Sequence, residues 1–90
     1  MACFASIPVS HSIMLYNPTY GESRQRYVTE MNTWLQAQCA ARGYGFWDYY
    51  TWNLANYTNT TYYNVDQTHP IQAGYNYLCP NMVAAMGAYI

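Results

Sequence analysis

Asp66 stands three positions before His69, and Pro70 follows directly. A carboxylate at that spacing can bend back through a tight turn and accept a hydrogen bond from one imidazole nitrogen. That bond fixes the tautomer and leaves the other nitrogen to take a proton from a hydroxyl or a water. Pro70 stiffens the exit of the turn by fixing its own φ. The pair also has a plainer reading, in which the acid caps a loop at a helix start and the histidine is a solvated neighbour.

A general base needs something to deprotonate, and the chain has four serines: Ser6, Ser10, Ser12 and Ser23. Residues 13–16 form an apolar run stopped by Asn17 and Pro18, which reads as a buried strand. In an open α/β sheet the site lies beyond the C-terminal strand ends, so Ser10 and Ser12 fall at the wrong end of that strand and Ser6 further away. Ser23, in the first helical turn after the strand, falls on the correct side, with free helix N–H groups nearby as oxyanion donors. It also reads simply as a solvent-facing helix-start serine. The expected catalytic set is therefore His69, Asp66 and Ser23. Tyr16, Asn17, Tyr20, Trp52, Tyr62, Tyr63 and Asn64 are expected on its rim, where rings around a polar centre suit an acyl chain, an aromatic ester or a sugar face, or else an interface. His11 has no acid near it in sequence and reads as structural.

The elements that position these groups are partly legible. Thr19 and Glu22 make a T-x-x-E capping-box pattern. Over residues 22–42 the apolar positions Tyr27, Val28, Met31, Trp34, Leu35 and Cys39 recur at three- and four-residue steps, which predicts one helix with Gly43 as its stop. Residues 46–50 read as a second short strand and residues 51–64 as a Thr/Asn/Tyr-rich loop with a helical turn around 52–56. Residues 71–89 read as helix, with a kink or break at Pro80. Two parallel strands joined by a helical crossover, with a second helix packed on them, give a β-α-β-loop-α unit whose sheet edges call for more strands.

The segment VDQTHPIQAGYNYLCPNMVAAMGAYI resembles the last conserved block of the SGNH (GDSL-type) hydrolases, in which a D-x-x-H-P turn leads into a helix reading roughly A-G-Y and then small apolar residues. NTWLQAQCAARGYGFWDYY looks like that family's penultimate helix, glycine turn and short strand with an Asp near its end, here Asp48, and IMLYNP is similar to the strand before that helix. The order matches across nearly the whole chain. The resemblance implies an esterase on a flavodoxin-like α/β sandwich, of which this chain is the truncated C-terminal part, completed by oligomerisation or by a separate N-terminal half. The family's GDS-like nucleophile block and the Gly and Asn of its oxyanion hole lie ahead of the matched region and have no counterpart here, so the resemblance leaves the nucleophile to another serine.

Ninety residues allow one small α/β domain, 1–90, that buries only about 60–65% of its unfolded surface. Charged residues are 8% of the chain, against about 25% in ordinary domains, while 12 tyrosines and 3 tryptophans supply rings; few charges and many rings favour self-association. A formal net charge of −1, with three arginines and no lysine, offers no footprint for nucleic acid or an acidic membrane. Cys3, Cys39 and Cys79 are widely spaced and lack C-x-x-C, so no zinc site is indicated, and nothing implies a cofactor. The compartment stays open: no basic leader precedes the first apolar run, and an extracytoplasmic location is compatible with a signal removed upstream. Two expectations result. One is a carboxylic ester hydrolase acting on a short-chain or carbohydrate acyl ester; the other is a non-catalytic module for assembly or carbohydrate binding.

Overall fold

The computed structural model describes residues 2–87. It is mixed α/β, in the order β1 (Cys3–Ala5), α1 (His11–Met14), α2 (Gln25–Arg42), β2 (Gly45–Trp47), α3 (Tyr49–Asn56) and α4 (Gln72–Gly87). β1 and β2 pair in parallel, with Cys3 opposite Gly45, Phe4 opposite Phe46 and Ala5 opposite Trp47. The crossover between them contains α2, as a parallel pair requires.

The first strand is not where the apolar run at 13–16 put it. His11–Met14 is a single helical turn, and the sheet strand is Cys3–Ala5. A four-residue apolar run does not separate strand from helical turn by periodicity, and here partner geometry decides. Glycine at the start of β2 lies buried against β1, while Arg24 N–H bonds the Ile13 carbonyl at 3.0 Å and ties α1 to the start of α2. The T-x-x-E cap is absent for a related reason. Asn17 and Glu22 pair across a tight turn, Asn17 Oδ1 accepts from Thr19 N–H at 2.9 Å, and the Glu22 carboxylate turns to Arg26 at 2.7 Å.

α2 ends as expected. Gly43 adopts a left-handed conformation at φ 67° and Tyr44 N–H returns to the Cys39 carbonyl at 2.9 Å, a closure that favours glycine because it lacks Cβ. β2 stops at Trp47 instead of reaching Tyr50 because Asp48 caps α3: its Oδ1 accepts from Thr51 N–H at 3.3 Å and its Oδ2 from the Thr51 hydroxyl at 2.6 Å. α4 continues through Pro80 instead of breaking, with that residue exposed on the surface where water can reach the carbonyl that loses its donor. The expected helical end at Tyr89 lies outside the described residues.

Among the described residues the buried apolar side chains are Val9, Val28, Cys39, Tyr63 and Leu78. At about 1.5–3 kcal/mol each they make a thin core, so buried polar bonds carry an unusual share of the specification. Two side-chain amides act as substitute strands. Asn32 on α2 accepts from Ile7 N–H at 2.6 Å and donates to the Ile7 carbonyl at 2.9 Å. Asn53 on α3 does the same to Val9, at 2.7 and 3.2 Å, and also donates to the Tyr63 hydroxyl at 3.0 Å. The chain after β1 is thereby held extended on both sides of Pro8. Ser6 completes the fastening: its N–H bonds the Trp47 carbonyl at 3.0 Å, and its buried hydroxyl accepts from Tyr50 N–H at 2.7 Å and donates to Asp48 Oδ1 at 3.4 Å.

The tyrosines concentrate around Trp52. Tyr77 stacks on that ring at 4.9 Å, Tyr62 meets it edge-on at 5.3 Å and Tyr63 lies at 5.9 Å, joining α3, the following loop and α4. The molecule is a slab with principal extents of 43 × 31 × 15 Å and a radius of gyration of 14.4 Å, larger than the about 12 Å of a compact 90-residue domain.

Candidate functional site

The turn that carries the acid and the histidine is closed at its base by strand-like bonds. Tyr63 and Pro70 form an antiparallel bridge, Ile71 N–H bonds the Tyr62 carbonyl at 2.9 Å, and Asn64 N–H bonds the His69 carbonyl at 2.8 Å. Gly74 allows α4 to press against this base, since a Cβ there would run into the Tyr62 carbonyl. At the tip, Gln67 takes a left-handed conformation at φ 56°, which reverses the chain so that Asp66 faces back over the residues that follow it.

Asp66 uses both oxygens. Oδ1 accepts from Thr68 N–H at 3.0 Å and His69 N–H at 3.1 Å, and Oδ2 lies 2.7 Å from His69 Nδ1. The hydrogen bond from the His69 ring, followed by the two backbone N–H groups, holds the Asp66 carboxyl at about 2, below its usual 3.8. The acid is therefore ionised at neutral pH and Nδ1 is the protonated nitrogen. In the neutral form of the ring Nε2 is then the acceptor, and among the described residues no side chain hydrogen-bonds it. The His69 side chain is 71% exposed, so this nitrogen is open to an incoming group.

The correction to β1 changes which serines belong on this side of the molecule. Ser6 follows β1 directly and Ser10 and Ser12 lie beyond it, so all three fall past the C-terminal end of the strand and not at its far end. Ser10 and Ser12 flank His11, whose N–H bonds the Gln67 carbonyl at 3.2 Å and whose Nδ1 lies 3.2 Å from Gln67 Oε1, so α1 meets the acid–histidine turn directly. Ser10 and Ser12 hydroxyls are 3.3 Å apart, and Arg24 bonds the Ser12 carbonyl at 3.0 Å. The Ser23 hydroxyl, in contrast, accepts from Gln25 N–H at 3.3 Å at the entrance to α2. No hydrogen bond joins Ser23 to His69 among the described residues.

The expected rim divides. Tyr16 and Tyr20 are exposed, Asn17 holds the turn before α2, and Asn64 closes the base of the acid–histidine turn. Tyr63 is not a rim residue: at 1% exposure it is sealed in the core, its hydroxyl between Tyr49 and Asn53. Burial, reinforced by the Tyr63 hydrogen bond, pushes the Tyr49 phenol upward, which keeps that group neutral. Trp52, half-buried, stands at the centre of the ring cluster.

A different apolar hollow borders the turn. A cleft of about 320 Å³ is lined by Pro70 together with Trp47, Tyr49, Tyr75, Leu78 and Met82. Only tertiary packing assembles it, from residues spread over β2, α3 and α4. Asn32 and Asn53 were also not anticipated. Asn32 had a signal, a polar residue within the Val28, Leu35 and Cys39 stripe of α2; Asn53 sits in a segment too short and mixed to show one. Comparison with family models, with curated proteins and with solved structures finds no match for this chain.

Proposed function

We propose that the chain is an esterase-type hydrolase in which Asp66 holds His69 as general base. The observation that carries this reading is the 2.7 Å contact from Asp66 Oδ2 to His69 Nδ1, with Nε2 open to solvent. In the proposed reaction Nε2 takes the proton of a serine hydroxyl or a water as its oxygen attacks an ester carbonyl. The imidazolium, stabilised by the Asp66 carboxylate, then returns that proton to the departing alcohol. A short-chain or carbohydrate acyl ester fits, with the apolar part of the substrate in the cleft beside Pro70. The resemblance of the 65–90 segment to the last SGNH block supports the same chemistry and would make the chain a C-terminal β-α-β-loop-α piece of a flavodoxin-like sandwich.

Ser10 and Ser12, carried by the segment that bonds Gln67, now compete with Ser23 for the role of nucleophile. The experiment is hydrolysis of a short-chain chromogenic ester combined with fluorophosphonate labelling and peptide mapping. Turnover that His69→Ala abolishes, with label on one serine that also disappears in that variant, supports a serine nucleophile. Turnover that depends on His69 without any labelled serine assigns the attack to water. Absence of both favours the second reading, a non-catalytic assembly module, for which the specific observation is that among the described residues no serine bonds His69.

A further inference from the structure

β1 is the less covered strand of the sheet, bordered by Met82 and Met86 of α4 only across a small cleft. α2 and α4 both pack over β2, whereas Phe4 in the middle of β1 remains 42% exposed, an unusual state for a parallel strand. The polar groups of β1 tell which edge is open. The Ala2 carbonyl and Ser6 N–H both bond β2, and since alternate residues of a strand face opposite edges, the N–H and C=O groups of Cys3 and Ala5 point away from it. Beside this edge lies an apolar surface. Tyr27, Met31 and Trp34 fall on one exposed stripe of α2, at 48%, 49% and 57%, where the helical periodicity predicted a single inward face. Trp34 also joins Phe4 and Tyr44 around a cleft of about 320 Å³, and the Phe4 and Tyr44 rings are 5.8 Å apart, so the stripe and the strand form one continuous patch.

The size of the patch separates chance exposure from an interface. With aromatic side chains carrying about 200 Å² each, the exposed fractions of these five residues amount to roughly 500 Å². That lies near the upper end of what a free-standing monomer shows; a stable complex takes about 800 Å² per partner, so the strand backbone and the residues bordering the patch would supply the remainder. Its charge is small. Arg26, on the border, is paired with Glu22 and Glu30 at 2.7 and 3.1 Å, and the chain carries a formal net charge of only −1. Arg42, which lines the Phe4–Trp34 cleft, hydrogen-bonds Gln38 and is the one cation of the patch without an acid among the described residues.

We propose that a second copy of this chain docks here across a two-fold axis, β1 against β1, giving a four-stranded sheet with the Tyr27, Met31 and Trp34 stripes covering the junction. An isologous contact of this kind uses one patch twice: each open edge supplies both donors and acceptors, and each stripe supplies both covering and covered rings. The proposal is independent of the hydrolase reading.

Sedimentation equilibrium of the full chain should give a dimer at micromolar concentration. Trp34→Glu, on an exposed helix face that the fold does not need, should weaken association at least about tenfold, the scale of a lost interfacial aromatic, with unchanged far-UV circular dichroism. Ala5→Pro, which removes an outward N–H, should do the same. Amide exchange at Cys3 and Ala5 should slow as protein concentration rises. A monomer well above micromolar concentration overturns the proposal, as does a dimer that neither variant weakens. A monomer whose β1 edge is protected only by a strand from a different polypeptide also overturns it.

Discussion

Replacing Asn53 by Leu tests whether the side-chain amides really stand in for sheet partners. The substitution keeps the branched skeleton of the side chain at a site 1% exposed, so no cavity opens; Leu is bulkier than Asn, and overpacking adds to the cost of the lost hydrogen bonds. Three bonds vanish, at 2.7, 3.2 and 3.0 Å, but their consequences differ. The Tyr63 hydroxyl keeps Tyr49 as a partner, whereas Val9, at 3% exposure, is left with an unpaired N–H and an unpaired carbonyl. Each orphaned group costs about 1–3 kcal/mol; allowing for the extra apolar contact of Leu, the net loss should be about 3 kcal/mol. A 90-residue domain has about 5–13 kcal/mol in all, so this is a large fraction, and it should lower Tm by about 10–20 °C. Urea unfolding followed by tryptophan fluorescence, at one protein concentration for all variants, measures it. Asn81→Ala on the exposed face of α4 is the control, expected within about 0.5 kcal/mol of wild type. An Asn53→Leu protein within about 1 kcal/mol of wild type would refute the clamp, because it would mean that Val9 is satisfied by water or that the segment is not held at all.

Other outcomes follow from the turn and its supports. Because the folded carboxyl of Asp66 sits at about 2 against its usual 3.8, its contribution to stability is fully present above about pH 4 and is lost as pH falls towards 2; the urea midpoint should fall over that window, and less so in Asp66→Asn. The same variant should lower His69-dependent ester turnover steeply without unfolding the protein, since an amide neither stabilises imidazolium nor enforces the tautomer. Gly74→Ala should destabilise by roughly 1–3 kcal/mol, because the new Cβ meets the Tyr62 carbonyl and comes within 3.0 Å of Pro70 Cβ; amide exchange at Ile71 should quicken with it. Asp48→Ala, which removes the cap on α3, should cost about 1 kcal/mol in thermal unfolding.

Local rules were enough wherever one segment decided its own conformation. The three- and four-residue apolar spacing over 27–39 with Gly43 after it specified α2 and its left-handed end, because side-chain periodicity and a missing Cβ act within a few residues. The Asp66 contact to His69 is equally local: three residues, a turn and a proline bring acid and ring together with little help from elsewhere. Pairing in space decided the rest. Whether 3–5 or 13–16 became the strand depended on which of them lay opposite β2, and that choice moved Ser10 and Ser12 to the side of the acid–histidine turn. The two faces of α2 were separated by what packs on them, so Asn32 went inward to serve Ile7 while Trp34 stayed outside. Tyr63, a rim candidate by its place in the sequence, became core, and Trp52 became the half-buried centre of a ring cluster, because three elements converged on their rings. Burial is a sum over neighbours distant in the chain; a residue pattern records the hydrophobicity of each side chain but not which elements will cover it.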